Sequence, residues 1–178
     1  MTNNSDNIGK ILLSEEQIQN KVKELGQQIT RDYQNKKPLL VGVLKGAFIF
    51  MSDLVREIDL ECEVDFMAVS SYGAATRSSG VVRIIKDLDI DLSGRDVIVV
   101  EDIIDSGLTL SYLRKNLTAR NPDSLEICAI FVKEGLQKTD ESIKYKGFQI
   151  PPDFVIGYGL DAAEKYRGLR YLAEYIQE

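Results

Sequence analysis

The sequence predicts an α/β protein with a mostly parallel central sheet and helices on both faces. Three observations point there. Short, continuously apolar runs recur as LLVGVL (39–44), DVIVVE (96–101) and LEICAIFV (125–132), the pattern of strands buried on both sides. Helix-like segments separate them, and strands alternating with helices imply parallel crossovers. The 178 residues show no repeats, low-complexity tracts or linker, so one domain spanning 1–178 is expected.

The elements follow in order. Ser14-Glu15-Glu16-Gln17 has the form of a capping box, and Ile18, Val22, Leu25 and Ile29 then mark one face of a helix. Pro38 stops it. After strand 39–44, residues 46–58 read as a helix, and 61–71 alternates through Cys62, Val64, Phe66 and Ala68 as a half-buried strand should. The glycine-bounded YGAATRSSG (72–80) separates this from a strand at 81–88, giving a long hairpin whose tip, about 71–80, is expected to be flexible. A turn at 92–95 leads to the central strand 96–101, the helix 108–120 and the strand 125–132. IPPD (150–153) breaks the chain before FVIGYGL (154–160), and a last short strand is expected near 169–176.

Composition excludes several functions. With 22 basic and 28 acidic residues the net charge is −6, the wrong sign for a nucleic-acid or anionic-membrane surface. No apolar run is long enough to span a membrane, and MTNNSDNIGK has no apolar core for a secretory signal. The two cysteines, Cys62 and Cys128, sit in strand-like runs without metal spacing, as buried thiols of a cytoplasmic protein would. There is no histidine, so acid–base work falls to carboxylates, lysine or tyrosine.

The richest stretch is VIVVEDIIDSGLTL (97–110). Its apolar residues bury a strand, and the chain is expected to leave the sheet at Glu101. Ser106, Gly107, Leu108 and Thr109 then lie at a helix N-terminus, where free amides and the helix dipole favour an anion. Ser106 and Thr109 add hydroxyl donors. Glu101 and Asp102 can accept from vicinal sugar hydroxyls or help hold magnesium. Together these describe a ribose 5-phosphate site. The plainer alternative is that Asp105 and Ser106 cap the next helix while Glu101 and Asp102 are solvated.

The string VVEDIIDSGLTL resembles the phosphoribosyl-pyrophosphate signature of the type I phosphoribosyltransferases. Nearly the whole chain, through four motifs in order, resembles the short bacterial hypoxanthine–guanine members of that family. The resemblance implies the type I phosphoribosyltransferase fold, with a small hood from the N- and C-terminal segments, its C-terminal part at about 150–178. It implies that Leu44-Lys45-Gly46 binds pyrophosphate through backbone amides, often with a cis peptide before the lysine. Ser71 and Tyr72 would close a loop over the site. Glu101, Asp102, Asp105, Ser106, Gly107, Leu108, Thr109 and Arg167 would complete the phosphoribosyl pyrophosphate site. Lys133 would donate to the oxo group of a purine, Phe154 would stack on it, and backbone around Val155 and Ile156 would contact its edges. Asp161 would join Glu101 and Asp102 in holding Mg2+ and would border the purine. Two departures stand out: Ser106 where threonine is common, and Gly159 where alanine is common, which is expected to loosen the turn before Asp161.

The implied reaction moves a 5-phosphoribosyl group from phosphoribosyl pyrophosphate to hypoxanthine or guanine, with Asp105 as general base on the ring nitrogen or as stabiliser of the developing charge. A homodimer or homotetramer is implied too. Two alternatives stand beside it: a related enzyme preferring xanthine, and a non-catalytic regulator sensing phosphoribosyl pyrophosphate. The regulator would need a DNA-binding segment or basic patch that is not visible. A dinucleotide binder is excluded, since VGVLKG does not supply G-x-G-x-x-G.

Overall fold

The computed structural model describes residues 7–71, 82–135 and 142–177, without the side chain of Ser71. A six-stranded sheet forms the body, in the order β4-β3-β2-β5-β6-β7. Its strands are β2 (Leu39–Leu44), β3 (Glu63–Ser71), β4 (Val82–Lys86), β5 (Asp96–Ile104), β6 (Ser124–Lys133) and β7 (Tyr145–Ile150). All neighbours are parallel except β3 and β4, which form the expected hairpin. A second, antiparallel sheet of β1 (Ile8–Leu13), β9 (Leu172–Tyr175) and β8 (Val155–Ile156) is the hood, and it joins both ends of the chain.

Alternation along β5 divides the core. Ile98 and Val100 face α1 (Glu15–Asp32) and α2 (Phe48–Glu57), sharing a cluster with Ile18, Val22, Phe50 and Leu54. Val97 and Val99 face α3 (Leu108–Thr118) and its Leu110, Leu113 and Leu117. The hood's Val155, Tyr158, Leu160 and Leu172 belong to the first cluster, so hood and body share one core. Helix α1 begins as its sequence demands. Ser14 Oγ accepts from the Gln17 amide at 3.2 Å, and Gln17 Oε1 accepts from the Ser14 amide at 2.8 Å.

Three features differ from expectation. β5 does not end at Glu101 but runs to Ile104, pairing Ile103 with Phe131 and Ile104 with Val132. Its acids lie inside the strand because they face a cleft at the sheet's carboxyl edge rather than solvent. β1 and β7 have no counterpart in the sequence reading: the first is half-exposed throughout, and the second is buried only at its two ends. The run 154–160 is a strand only at Val155–Ile156, because Gly157 and Gly159, each at φ +100°, turn it.

Candidate active site

The carboxyl ends of β2, β3 and β5 open into a polar cleft of about 470 Å³. From β5 come Glu101 and Asp102. Glu101 is buried, and that burial, with the adjacent Asp102 charge, pushes its carboxyl well above the usual range. Burial likewise raises Asp102 to about 6, opposed by amide hydrogen bonds and Arg167 and reinforced by Asp161. The Ile103 amide donates to Asp102 Oδ1 at 2.9 Å.

Between β5 and α3 the chain turns through Asp105, Ser106 and Gly107, the last in the left-handed region at φ +78°. Ser106, Gly107 and Thr109 line the cleft at the N-terminus of α3, an arrangement suited to one phosphate. Leu108 adds no wall. It enters only through its amide, which donates to Ser106 Oγ at 3.4 Å.

Opposite lies the turn after β2. The Leu44–Lys45 peptide is cis, and Lys45 and Gly46 line the cleft. Gly46 is required there because a Cβ would collide with the Asp102 carboxylate. The hood presses on the same turn, since a Cβ on Gly159 would collide with the Gly46 carbonyl oxygen. The turn before Asp161 is therefore not loose. Arg167 Nη1 donates to the Gly159 carbonyl at 2.8 Å, and the Gly159 amide donates to the Arg167 carbonyl at 3.0 Å. Arg167 Nη2 also pairs with Asp161 at 2.8 Å. Glu164, absent from the sequence reading, pairs with both Lys45 and Arg167, at 3.2 and 3.5 Å.

A smaller compartment of about 270 Å³ adjoins the cleft, walled by Lys133, Phe154, Val155 and Leu160. Asp102, Ile103, Asp105 and Asp161 contribute to both chambers. Lys133 Nζ lies 3.4 Å from Asp105 Oδ2 at the end of β6. Phe154 is half-exposed at the wall of this compartment, its ring 5.5 Å from that of Tyr175. Ile156 is fully buried in the hood, and its side chain does not reach the compartment.

Of the residues expected at the site, Tyr72 lies outside the described ones and the side chain of Ser71 is not described. Ile103 and Leu160 were missed as walls. Both were hidden by their apolar character, although each stands beside an acid within its motif. Among the described residues no three acids converge tightly enough to enclose a metal by themselves. Asp161 nonetheless lies close enough for its charge to help raise Asp102.

A model of the phosphoribosyl transferase domain matches residues 10–163. The chain belongs to the phosphoribosyltransferase family. Among similar proteins, the hypoxanthine-guanine phosphoribosyltransferase of Bacillus subtilis is 54% identical over 165 residues, which cover 93% of this chain and 92% of that protein. The protein of the same name from Dictyostelium discoideum is 51% identical, over 95% of this phosphoribosyltransferase and 96% of its own length. A crystal structure of hypoxanthine phosphoribosyltransferase from Staphylococcus aureus superposes with a TM-score of 0.92 at 45% identity, covering 98% of this chain and 96% of that one. The type I phosphoribosyltransferase fold is thereby shown, with its mixed sheet and flanking helices.

Proposed function

We infer that the chain transfers the 5-phosphoribosyl group of phosphoribosyl pyrophosphate to hypoxanthine or guanine, yielding IMP or GMP and pyrophosphate. The observation that carries this reading is the shared wall. A phosphosugar in the polar cleft and a purine in the smaller compartment meet beside Asp105, which borders both.

Ser106, Gly107 and Thr109 hold the 5-phosphate through amides and hydroxyls. Lys45, Gly46 and Arg167 face the pyrophosphate, and Glu101 and Asp102 accept from the ribose hydroxyls. The bond from the anomeric carbon to pyrophosphate oxygen breaks, and a bond from that carbon to the purine ring nitrogen forms. Asp105 takes the proton that nitrogen carried. Lys133 stands beside it to donate to the purine oxo group, which disfavours an amino group there and makes adenine a poor substrate. Phe154 covers the ring. When bound, Mg2+ would supply positive charge against that developing on the pyrophosphate. Asp102, Asp161 and Glu101 would hold it together with substrate oxygens, a donor set suited to magnesium, which takes few protein carboxylates.

A homodimer or homotetramer accords with apolar side chains left open at the β3–β4 end of the sheet, where Val64 is 41% and Ile85 68% exposed. Cytoplasmic residence accords with two free thiols, Cys62 and Cys128. No helix among the described residues is long and apolar enough to cross a membrane.

Incubation with magnesium, phosphoribosyl pyrophosphate and hypoxanthine, guanine or xanthine in turn tests the reading. IMP and GMP are the expected products. Xanthosine monophosphate alone would reassign the base, and no nucleotide from any base would favour a non-catalytic sensor.

A further inference from the structure

Glu164 has no part in the reaction set out above, yet it contacts two cations of the cleft, Lys45 and Arg167. Its Oε2 lies 3.2 Å from Lys45 Nζ and 3.5 Å from Arg167 Nη2. The backbone that carries it is fixed: its amide donates to Asp161 Oδ2 at 2.8 Å, and its φ is +63°. Ala163 and Tyr166 nearby are also left-handed, at +50° and +74°. Residues with a Cβ adopt such conformations rarely, and mostly where surrounding contacts impose them. The loop therefore aims this carboxylate at Lys45 and Arg167.

We propose that Glu164 competes with pyrophosphate for Lys45 and Arg167 and so sets the affinity of the site for the diphosphate. The inference rests on the reading of those two cations as the pyrophosphate grip. The side chains of Lys45 and Glu164 are 68% and 65% exposed, and ion pairs this open are weak enough to be exchanged readily. A diphosphate brings several charges and many acceptor oxygens, so it displaces a single carboxylate. Its net affinity is lowered by the pairs it breaks and by repulsion from the displaced acid. Arg167 does not drift during the exchange, because Asp161 and the Gly159 carbonyl still hold it at 2.8 Å each. Glu164 thus weakens the hold on a highly charged product while leaving the grip assembled.

Titration calorimetry with magnesium pyrophosphate tests this on the full-length chain. Glu164→Gln removes the charge and keeps the shape, and its Kd should fall roughly 3- to 10-fold, the scale of two exposed ion pairs. The KM for hypoxanthine should not change. Glu164→Asp, with a shorter reach, should fall between the two, and it decides the matter if Glu164→Gln does not fold. An unchanged or weaker affinity would overturn the proposal, since a residue that merely braces the loop would give that result. Lys45→Ala and Arg167→Ala separate the two levels of inference. If neither weakens pyrophosphate binding, the grip itself is misassigned. If both do while Glu164→Gln fails to tighten it, only the competitive role of Glu164 is lost.

Discussion

Asp105 stands at the seam of the two compartments, 3.4 Å from the Lys133 ammonium. Asp105→Asn should lower kcat by about 100- to 10,000-fold, the usual worth of a positioned acid–base group. Binding of phosphoribosyl pyrophosphate should hardly change, and equal turnover would remove Asp105 from the mechanism. Asp102 makes a different prediction. Folded, it releases its proton near 6, against an ordinary value of 3.8. Between those limits the folded chain holds the extra proton, so its stability falls as pH rises through that window. Asp102→Asn should fall less steeply over the same range in denaturant titrations, and parallel profiles would contradict the raised carboxyl. The residue types at the site were readable from the order Glu101, Asp102, Asp105, Ser106, Gly107 and Thr109. The partnership of Glu164 with Lys45 was not, because 119 positions separate them and only the folded loop brings them together.

At the scale of elements, α1 was legible because its cap is local: Ser14 and Gln17 satisfy each other's amides within one turn. β5 was legible in kind but not in length, since Glu101 and Asp102 look like a strand's exit when the cleft they face is unknown. β7 went unread because YKGFQI is buried only at Tyr145 and Ile150, giving neither a continuous nor an alternating apolar signal. Asp65 shows how an element's position can hang on one side chain. Its Oδ2 accepts from the Asp89 and Ile90 amides at 2.8 and 3.1 Å, and its Oδ1 from the Phe66 amide at 2.7 Å, fixing the passage from β4 to β5. Asp65→Ala leaves these donors without their acceptor and should cost about 1–3 kcal/mol in urea unfolding. A change much below that would mean that water replaces the carboxylate.

At the scale of the whole molecule, charge poses the central problem. A chain of net −6 must bind a polyanion in a cleft lined by Glu101, Asp102 and Asp161, with Lys45 and Arg167 as the cations among its described residues. These two cations, already paired with carboxylates, do not by themselves offset both the substrate and those acids. Turnover should therefore cease on chelation with excess EDTA and return with added magnesium, and full activity without metal would contradict this balance. The parallel sheet itself was legible from its apolar runs, whereas the hood was not derivable from periodicity, because its strands come from opposite ends of the chain.

The shared core has a last consequence. Leu172 and Ala173 of the final strand are wholly inaccessible to solvent, and Leu172 packs among residues of α1 and α2. The hood side of the smaller compartment is thus no detachable cover. Trimming the last dozen residues would strip insulation from the main interior, so a drift in selectivity by way of this tail would have to begin with tolerance for a weakened body.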